Sequence, residues 1–181
     1  PVLHLTVPIP APPAPLPDLE AITYRHQVRG FAVLYPGDFV EGMSCPTEGI
    51  IDDPVVSFRL VGPAYYSDTN LLDACVTVGV DPSQAARVTC REARDPHEEM
   101  TGQQEINGIL FARIRRGGVA TGHVYDVTSY RAPHSGACYE ITLLVHYADP
   151  GVYAAGTVSE FDQQVVMSRL KQLLHDFRFL Q

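Results

Sequence analysis

The strongest structural signal in this sequence is a stretch of alternating side chains, which predicts a long β-hairpin between residues 119 and 147. Successive side chains of a strand point to opposite faces, so long alternation indicates a strand with two different faces. The turn-forming segment APHSGA separates the two halves, and we expect the first strand to end at Arg131 and the second to begin at Cys138. In the second strand Tyr139, Ile141, Leu143, Val145 and Tyr147 form an apolar row, while Glu140, Thr142 and His146 occupy the opposite face.

The C-terminal segment predicts the layer that covers this sheet. Its apolar residues recur at helical spacing, which gives a helix one apolar stripe. Thr157 followed by Glu160 is a capping-box pattern for the start of the helix, with Ser159 as a competing cap. We therefore predict an α+β fold, with a mainly antiparallel sheet of about six strands covered by a C-terminal α-helix. The residues of the stripe are Phe161, Val165, Leu170, Leu173, Leu174 and Phe177.

Shorter β-type runs precede the hairpin. The stretch TYRHQVRGFAVLYPGDF predicts two strands that turn at Gly30, and ILFARIR predicts another strand after a turn at Asn107 and Gly108. Residues 81–104 are polar and aperiodic, and the only element expected there is a short helix near residues 83–91. Two further runs alternate and so have one apolar face. The first presents Val56, Phe58 and Leu60. The second is expected to be a half-buried strand, with Leu72, Ala74, Val76, Val78 and Val80 on the apolar face and Asp73, Cys75 and Thr77 on the other.

The first 20 residues differ in composition from the rest of the chain. Prolines occupy positions 1, 8, 10, 12, 13, 15 and 17. Because proline lacks an amide donor and favours the polyproline II conformation, residues 1–20 predict a proline-rich tether. Residues 21–181 are then expected to form a single α/β domain.

The four cysteines favour disulfides. They include no Cys-x-x-Cys pair, so the spacing of a zinc knuckle or of a thioredoxin-type redox site is absent. Four cysteines allow three connectivities, of which we favour Cys90 with Cys138 and Cys45 with Cys75. Two disulfides would place the protein outside a reducing cytosol, and the alternative is a cytosolic protein with four buried thiols.

Net charge and missing motifs argue against several classes of function. A formal net charge of −8 opposes binding to nucleic acid, and the short basic cluster of Arg113, Arg115 and Arg116 is expected to be a solvated strand end. No apolar run approaches the roughly 20 residues that cross a bilayer. The chain contains no Gly-x-Ser-x-Gly, His-Glu-x-x-His, P-loop or Gly-x-Gly-x-x-Gly motif, and we predict no cofactor.

The stretches YRHQVRGFAVLYPGDF, INGILFARIRRGG, SYRAPHSGACYEITLLVHY and GTVSEFDQQVVMSRLKQLL resemble a group of bacterial secreted or lipoprotein domains in the PsbP-like α/β/α sandwich superfamily. The resemblance covers most of residues 22–179, and its motifs concern packing and turns. It implies a PsbP-like fold and a binding module, and it names no ligand and no catalytic residue. In that group a cysteine before a Tyr-Glu pair commonly has an upstream partner, which implies the pair Cys138 and Cys90.

Two histidines and a carboxylate form a candidate metal site on the hairpin. If the loop is residues 132–137, His123 lies opposite His146, with Glu140 nearby on the same strand. Two imidazoles and a carboxylate are a donor set typical of zinc. A shift of one residue would send the histidines to opposite faces, and the assumed register also leaves Asp126 on the apolar side. The alternative is that both histidines are ordinary hydrogen-bonded groups.

Two further candidates come from single positions. A Cys/His hydrolase would need Cys138 as a reduced nucleophile with His134 as its base, whereas Cys138 begins a strand in the place expected for a structural disulfide. Tyr65 and Tyr66 lie in a loop rich in turn residues, where their rings either contact a partner or pack on the body of the protein. We favour the packed alternative for the tyrosines.

Together these features predict an extracytoplasmic binding or interaction module that is not an enzyme. It would be secreted, or anchored through an N-terminal segment, and its partner would be a protein or another envelope component. The alternative function is a small metal-dependent or Cys/His hydrolase. That alternative needs a cleft that gathers His123, His146 and Glu140.

Overall fold

The computed structural model describes residues 19–42, 45–46, 54–154 and 156–181. Within these ranges the chain forms ten strands in two antiparallel sheets, together with three α-helices. The predicted α+β class, a mainly antiparallel sheet with a C-terminal helix, is confirmed. The predicted tether falls on residues 1–20, of which residues 1–18 lie outside the described part of the chain.

The main layer is a seven-stranded sheet with the strand order β3-β4-β5-β9-β8-β7-β6. A smaller sheet has the order β1-β2-β10. The strands are β1 (Ala21–His26), β2 (Phe31–Pro36), β3 (Phe39–Glu41), β4 (Pro54–Leu60), β5 (Leu71–Asp81), β6 (Glu98–Ile106), β7 (Ile109–Ala120), β8 (His123–His134), β9 (Ala137–Ala148) and β10 (Phe177–Phe179). The helices are α1 (Pro63–Tyr66), α2 (Gln84–Val88) and α3 (Gln163–His175). None of the helices in the described ranges has the length and hydrophobicity needed to cross a bilayer.

The predicted long hairpin is present as β8 and β9, but its turn is tighter than expected. Ser135 and Gly136 alone connect the strands, and both have positive φ angles, 45° and 77°, as in the type I′ turn that suits the twist of a hairpin. Arg131 therefore lies opposite Glu140, whereas a loop over residues 132–137 would place it opposite Cys138. The predicted register was wrong by two residues, and a shift of two leaves every side chain on its predicted face.

One face of the large sheet, here called the helix face, forms the apolar core with α3 and the small sheet. From the large sheet, Val76, Ile141 and Leu143 are each about 1% exposed. Phe31 of β2 and Phe177 of β10 stack with ring centroids 5.6 Å apart. Burial of each such side chain contributes about 1.5–3 kcal/mol, so this layer is the main source of stability. Helix α3 contributes Val166, Leu170, Leu173 and Leu174.

Helix α3 begins later than the sequence pattern indicated. Asp162 is its N-cap, and the Asp162 carboxylate accepts a hydrogen bond from the amide of Val165 at 3.0 Å. Thr157 and Ser159 both precede the helix, so the predicted capping box was wrong. The physical reason is that an aspartate directly before the first turn offers a better acceptor to the free amides than a hydroxyl several residues upstream.

Three members of the predicted apolar rows differ from the prediction. Val166 is the buried valine of α3, whereas Val165 is half-buried. Phe177 is buried as expected, but it belongs to β10 and not to the helix. In β5 a bulge near the start of the strand buries Leu71 in place of the predicted Leu72.

In the region that is polar and aperiodic in sequence, the predicted short helix is present as α2, capped by Ser83. The same region also contributes strand β6, which was not predicted. Strand β6 is at the edge of the large sheet, and most of its side chains are exposed. A bulge between Met100 and Gly102 also breaks the alternation. An edge strand of this kind carries no apolar row, so periodicity cannot reveal it.

The second face of the large sheet, here called the polar face, carries buried polar side chains. Thr77 and Thr142 are both 0% exposed. Their hydroxyls pair across the strands, Ser57 with Thr77 and Ser129 with Thr142, each at 2.9 Å. Paired hydroxyls avoid the cost of burying an unsatisfied polar group. Strand β5 is therefore not half-buried as predicted, because Thr77 and Cys75 on its polar face are as buried as its apolar row.

Candidate functional site

Two disulfides fix the polar face to the surrounding loops. Cys90 is bonded to Cys138 and Cys45 to Cys75, with Cα atoms 5.5 and 6.1 Å apart, which is the connectivity favoured from the sequence. The disulfide removes Cys138 as a nucleophile. His134 stacks on Phe179 with ring centroids 3.6 Å apart, and the alternation of β8 and β9 places it on the helix face, opposite to Cys138. The structure therefore does not form the Cys/His arrangement of a hydrolase.

A buried charge network lies beside the Cys90–Cys138 disulfide on the polar face. Arg131, 2% exposed, donates two hydrogen bonds to the carboxylate of Glu98, at 2.6 and 3.0 Å. Arg131 also donates to Oε1 of Glu140 at 3.2 Å, and Arg94 lies 3.8 Å from the same carboxylate. Burial acts to raise the pKa of Glu98, but the hydrogen bonds from Arg131 and from the Arg94 amide outweigh it and lower that pKa.

These two arginines and two glutamates balance in charge and are engaged with one another. Glu98 and Glu140 are 6% and 4% exposed at their side chains. Because their oxygens accept hydrogen bonds from arginine, removing any one partner would leave a buried charge uncompensated.

Tyr65 and Tyr66 use their rings and hydroxyls inside the molecule. The Tyr65 hydroxyl donates to Asp38 at 2.5 Å and accepts from Nε of Arg169 at 3.3 Å, which connects α1 to α3. The Tyr66 hydroxyl donates to the carbonyl of Leu60 at 2.7 Å. The pKa of Tyr65 is raised, mainly by burial and also by the hydrogen bond to Asp38. Both rings are partly buried and pack against the core, which is the alternative favoured from the sequence.

The two histidines of the candidate metal site lie in contact. His123 is opposite Ala148 and not opposite His146, but the two-residue shift keeps both rings on the polar face. Nδ1 of His123 lies 2.9 Å from Nε2 of His146. The ring of Tyr125 stacks on His146 with centroids 4.2 Å apart and planes 7° from parallel.

The predicted carboxylate of this site is wrong, and a different carboxylate takes its place. Glu140 is six residues from His146 along β9, about 20 Å at strand spacing, and is held by Arg131. Asp73 of β5 instead accepts a hydrogen bond from Nδ1 of His146 at 3.2 Å, and it forms an ion pair with Arg59. Among the described residues, no group of three or more His, Cys, Asp or Glu side chains is arranged to hold a metal ion.

The end of the β7–β8 hairpin next to these histidines leaves backbone groups uncovered. Strand β6 pairs with β7 only as far as Arg116, so residues 117–120 extend beyond it at the sheet edge. The amide of Asp149 donates to the carbonyl of Gly122. In antiparallel strands the backbone groups of successive residues point to opposite sides, so this bond determines which residues of β8 bond to β9 and which bond to β7, and through the register it determines the same for β7. The same alternation directs the amide and carbonyl of Gly117 and Val119 outward. We call residues 117–120 the open edge.

A groove of about 330 Å³ lies beside the open edge on the polar face. Its lining includes the phenol ring of Tyr125, the guanidinium of Arg116 and the imidazole of His97. The glycines of the open edge leave one side of the groove without side chains. A Cβ atom at Gly118 would meet nothing within 4 Å, so packing does not require a glycine there. The groove is lined by residues 97, 116, 117, 118, 125 and 127.

The other exposed edges of the large sheet carry the features that normally block strand pairing. Strand β6 has three glutamates and a bulge, and β3 at the opposite edge is only three residues long. The open edge has no charged residue, and Val119 is 75% exposed. The open edge is therefore less protected against an added strand than β6 or β3.

Sequence reasoning identified His123 and His146 but missed Asp73, Tyr125 and the open edge. Asp73 is 73 residues from His146 in sequence, and only the β5–β9 pairing joins them. The Gly-Gly pair at residues 117 and 118 was the available signal for the open edge, since glycine inside a strand often marks a close approach of another chain.

No protein-family model matches the chain, and no curated protein matches it. Solved structures similar to it include a protein of Bacteroides thetaiotaomicron, which is 11% identical with a TM-score of 0.49. The match covers 88% of this chain but only about half, 48%, of that protein. The cyanobacterial PsbP of Synechocystis is 12% identical over 93% of this chain and 98% of its own, with a TM-score of 0.44. LpqN of Mycobacterium tuberculosis, involved in cell envelope biogenesis, is 11% identical over 91% and 93%, with a TM-score of 0.47. All three identities are 12% or less, and all three TM-scores are below 0.5.

Proposed function

We propose that this protein is an extracytoplasmic binding module that holds a partner protein by adding an extended segment of that partner to the open edge. The observation that carries the proposal is the amide and carbonyl of Val119, which face outward beyond the last residue of β7 that pairs with β6. An extended segment paired there would gain main-chain hydrogen bonds, which give affinity in this mode of recognition. Its alternate side chains would enter the groove beside Tyr125, which would give specificity.

Two observations support the location and the absence of enzymatic activity. Two disulfides are typical of proteins outside the reducing cytosol. The titratable groups buried on the polar face are occupied, since Glu98 and Glu140 are bound by Arg131. The proline-rich residues 1–20 serve as a tether in this proposal, and residues 21–181 serve as the binding domain.

The proposal is tested by capture from the envelope of the native host with the full chain as bait. Val119→Pro removes the outward amide of the open edge, and proline is tolerated at an edge position of this kind. Val119→Ala is the matched control, because it removes the same exposed side chain but keeps the amide. We expect the wild-type protein and Val119→Ala to retain the same partner, and Val119→Pro to lose it.

The opposite pattern would contradict strand addition. If Val119→Pro captures the same partner as the wild-type protein, the open edge is not the contact. If the alanine variant also loses the partner, the contact is made by the valine side chain and not by the backbone. Thermal unfolding of each variant verifies that loss of capture does not come from loss of fold.

A further inference from the structure

We propose that His123 and His146 form a binding site for one divalent transition-metal ion of the class that prefers imidazole, Cu²⁺, Ni²⁺ or Zn²⁺. The argument begins with the distance between the two donor atoms. Nδ1 of His123 and Nε2 of His146 are 2.9 Å apart. In the square-planar or tetragonal coordination of Cu²⁺ and Ni²⁺, bonds of about 2.0–2.1 Å place two adjacent ligand nitrogens about 2.9 Å apart, and the tetrahedral angle of Zn²⁺ places them about 3.3 Å apart. The two nitrogens therefore lie close enough together to share one ion once the ring of His123 turns toward it.

The hydrogen bond from His146 to Asp73 prepares the correct nitrogen. Asp73 accepts from Nδ1 of His146, so a neutral His146 carries its proton on Nδ1 and its lone pair on Nε2, the atom that faces His123. Histidine ligands of metals usually donate their other N–H to a carboxylate in this way, which fixes the tautomer and orients the ring. The ion pair with Arg59 holds the Asp73 carboxylate in turn.

The histidines also lie on a rigid support. They are carried by β8 and β9, whose pairing shows no register shift. Tyr125 stacks on His146, which is 9% exposed, and limits rotation of its ring. His123 is half-buried, so solvent reaches the pair from its side. Water molecules would complete the coordination of an ion that has two protein ligands.

Binding needs a change of tautomer in His123 and a rotation of its half-buried ring, because the two rings now face each other along the hydrogen bond, with centroids 5.1 Å apart. In the metal-free pair, the Nδ1–H of His123 donates to Nε2 of His146. On binding, that proton moves through solvent to Nε2 of His123, and the His123 ring turns so that both lone pairs point at the ion. One N–H···N bond breaks and two metal–nitrogen bonds form, with no net release of a proton. Imidazole donors select Cu²⁺, Ni²⁺ and Zn²⁺ over Mg²⁺ and Ca²⁺, with Cu²⁺ bound most tightly.

The test is a titration of the full chain with Cu²⁺, followed by calorimetry and by electron paramagnetic resonance of the bound ion. We expect one ion per chain, with the spectroscopic signature of two imidazole nitrogens. His123→Ala should weaken binding by a factor of at least about 10, and Asp73→Asn, which keeps both ligands but weakens the orienting bond, by about 10–100-fold. His97→Ala is the control, since that histidine lies in the neighbouring groove and not in the pair.

Two results would overturn the proposal. One is the absence of saturable binding by the wild-type chain. The other is unchanged affinity in His123→Ala, which would place the ion elsewhere. Because the His123 side chain is half-buried, the variant's melting temperature is measured first without metal, and the rise of that temperature with added Cu²⁺ provides a second readout that only the wild-type protein and His97→Ala should show.

Discussion

At the scale of single residues, the polar face carries charge where a sheet usually carries apolar side chains. Arg131 is among the largest of the fully buried side chains. Its value to the fold depends on its carboxylate partners, because removal of one member of a buried pair leaves an uncompensated charge that costs about 3–5 kcal/mol. Tyr65 also serves a charged pair, because its hydroxyl bonds to the Asp38 carboxylate, which forms an ion pair with Arg169.

The first prediction concerns acid. The pKa of Glu98 is lowered in the folded protein, so its ionised form contributes stability that is present above the ordinary value of 4.5 and is lost as the pH falls through the lowered value. We expect the free energy of unfolding, measured in urea between about pH 6 and about pH 3, to fall on acidification. Glu98→Gln should be less stable than the wild-type protein near neutral pH and should show a smaller slope. Equal slopes in the two proteins would contradict this account of Glu98.

The second prediction compares the two neighbouring tyrosines. Tyr65→Phe removes the donor to the Asp38 carboxylate, and Tyr66→Phe removes a donor to a backbone carbonyl. We expect a loss of about 1–3 kcal/mol for Tyr65→Phe and about 0.5–1.5 kcal/mol for Tyr66→Phe, because the bond to a charged group is the stronger one. Chemical denaturation measures both losses. Two variants as stable as the wild-type protein would mean that these hydroxyls face solvent.

At the scale of elements, the ends and the edges differ most from what periodicity indicates. An edge strand such as β6 has no apolar row, and the start of α3 depends on which side chain reaches the free amides. The buried elements, β4, β5 and β9, were predictable because their apolar faces repeat every second residue. The contact of Asp73 with His146 was not predictable, because it depends on the lateral order of strands that are distant in sequence.

The third prediction tests the start of α3. Asp162→Ala removes the carboxylate that accepts from the Val165 amide, and the expected loss is about 0.5–2 kcal/mol. Thr157→Ala is the matched control, since a capping box at Thr157 would make that residue the costly one. Thermal or urea unfolding ranks the two variants. A larger loss for Thr157→Ala would show that the helix begins where the sequence pattern placed it.

At the scale of the whole molecule, the large sheet has a different partner on each face. The helix face is covered by α3 and the small sheet through apolar packing. The polar face is joined to its surrounding loops by the disulfides and the Arg131 network, and hydroxyl pairs join its strands to one another. The antiparallel sheet and its helix follow from local pattern, whereas the open edge follows from the different lengths of β6 and β7, a property that emerges only when the strands are paired.

The fourth prediction concerns the disulfides. Replacing Cys90 and Cys138 together by alanine opens a loop of 48 residues, and replacing Cys45 and Cys75 opens one of 30 residues. Each double variant should lose about 2–4 kcal/mol, with the longer loop losing slightly more. Urea unfolding under non-reducing conditions measures the difference. A wild-type protein whose stability does not change on full reduction would show that the disulfides do not brace the fold.

Site-specific photo-crosslinking in the native envelope tests the account most directly. A photoreactive residue at position 119 reports contacts of the open edge, and one at position 88, on α2, is the control because Val119 and Val88 are 75% and 74% exposed. The account predicts a discrete crosslinked protein from position 119 and none from position 88. Crosslinking to the same protein from both positions, or from position 88 alone, would contradict the open edge as the contact surface.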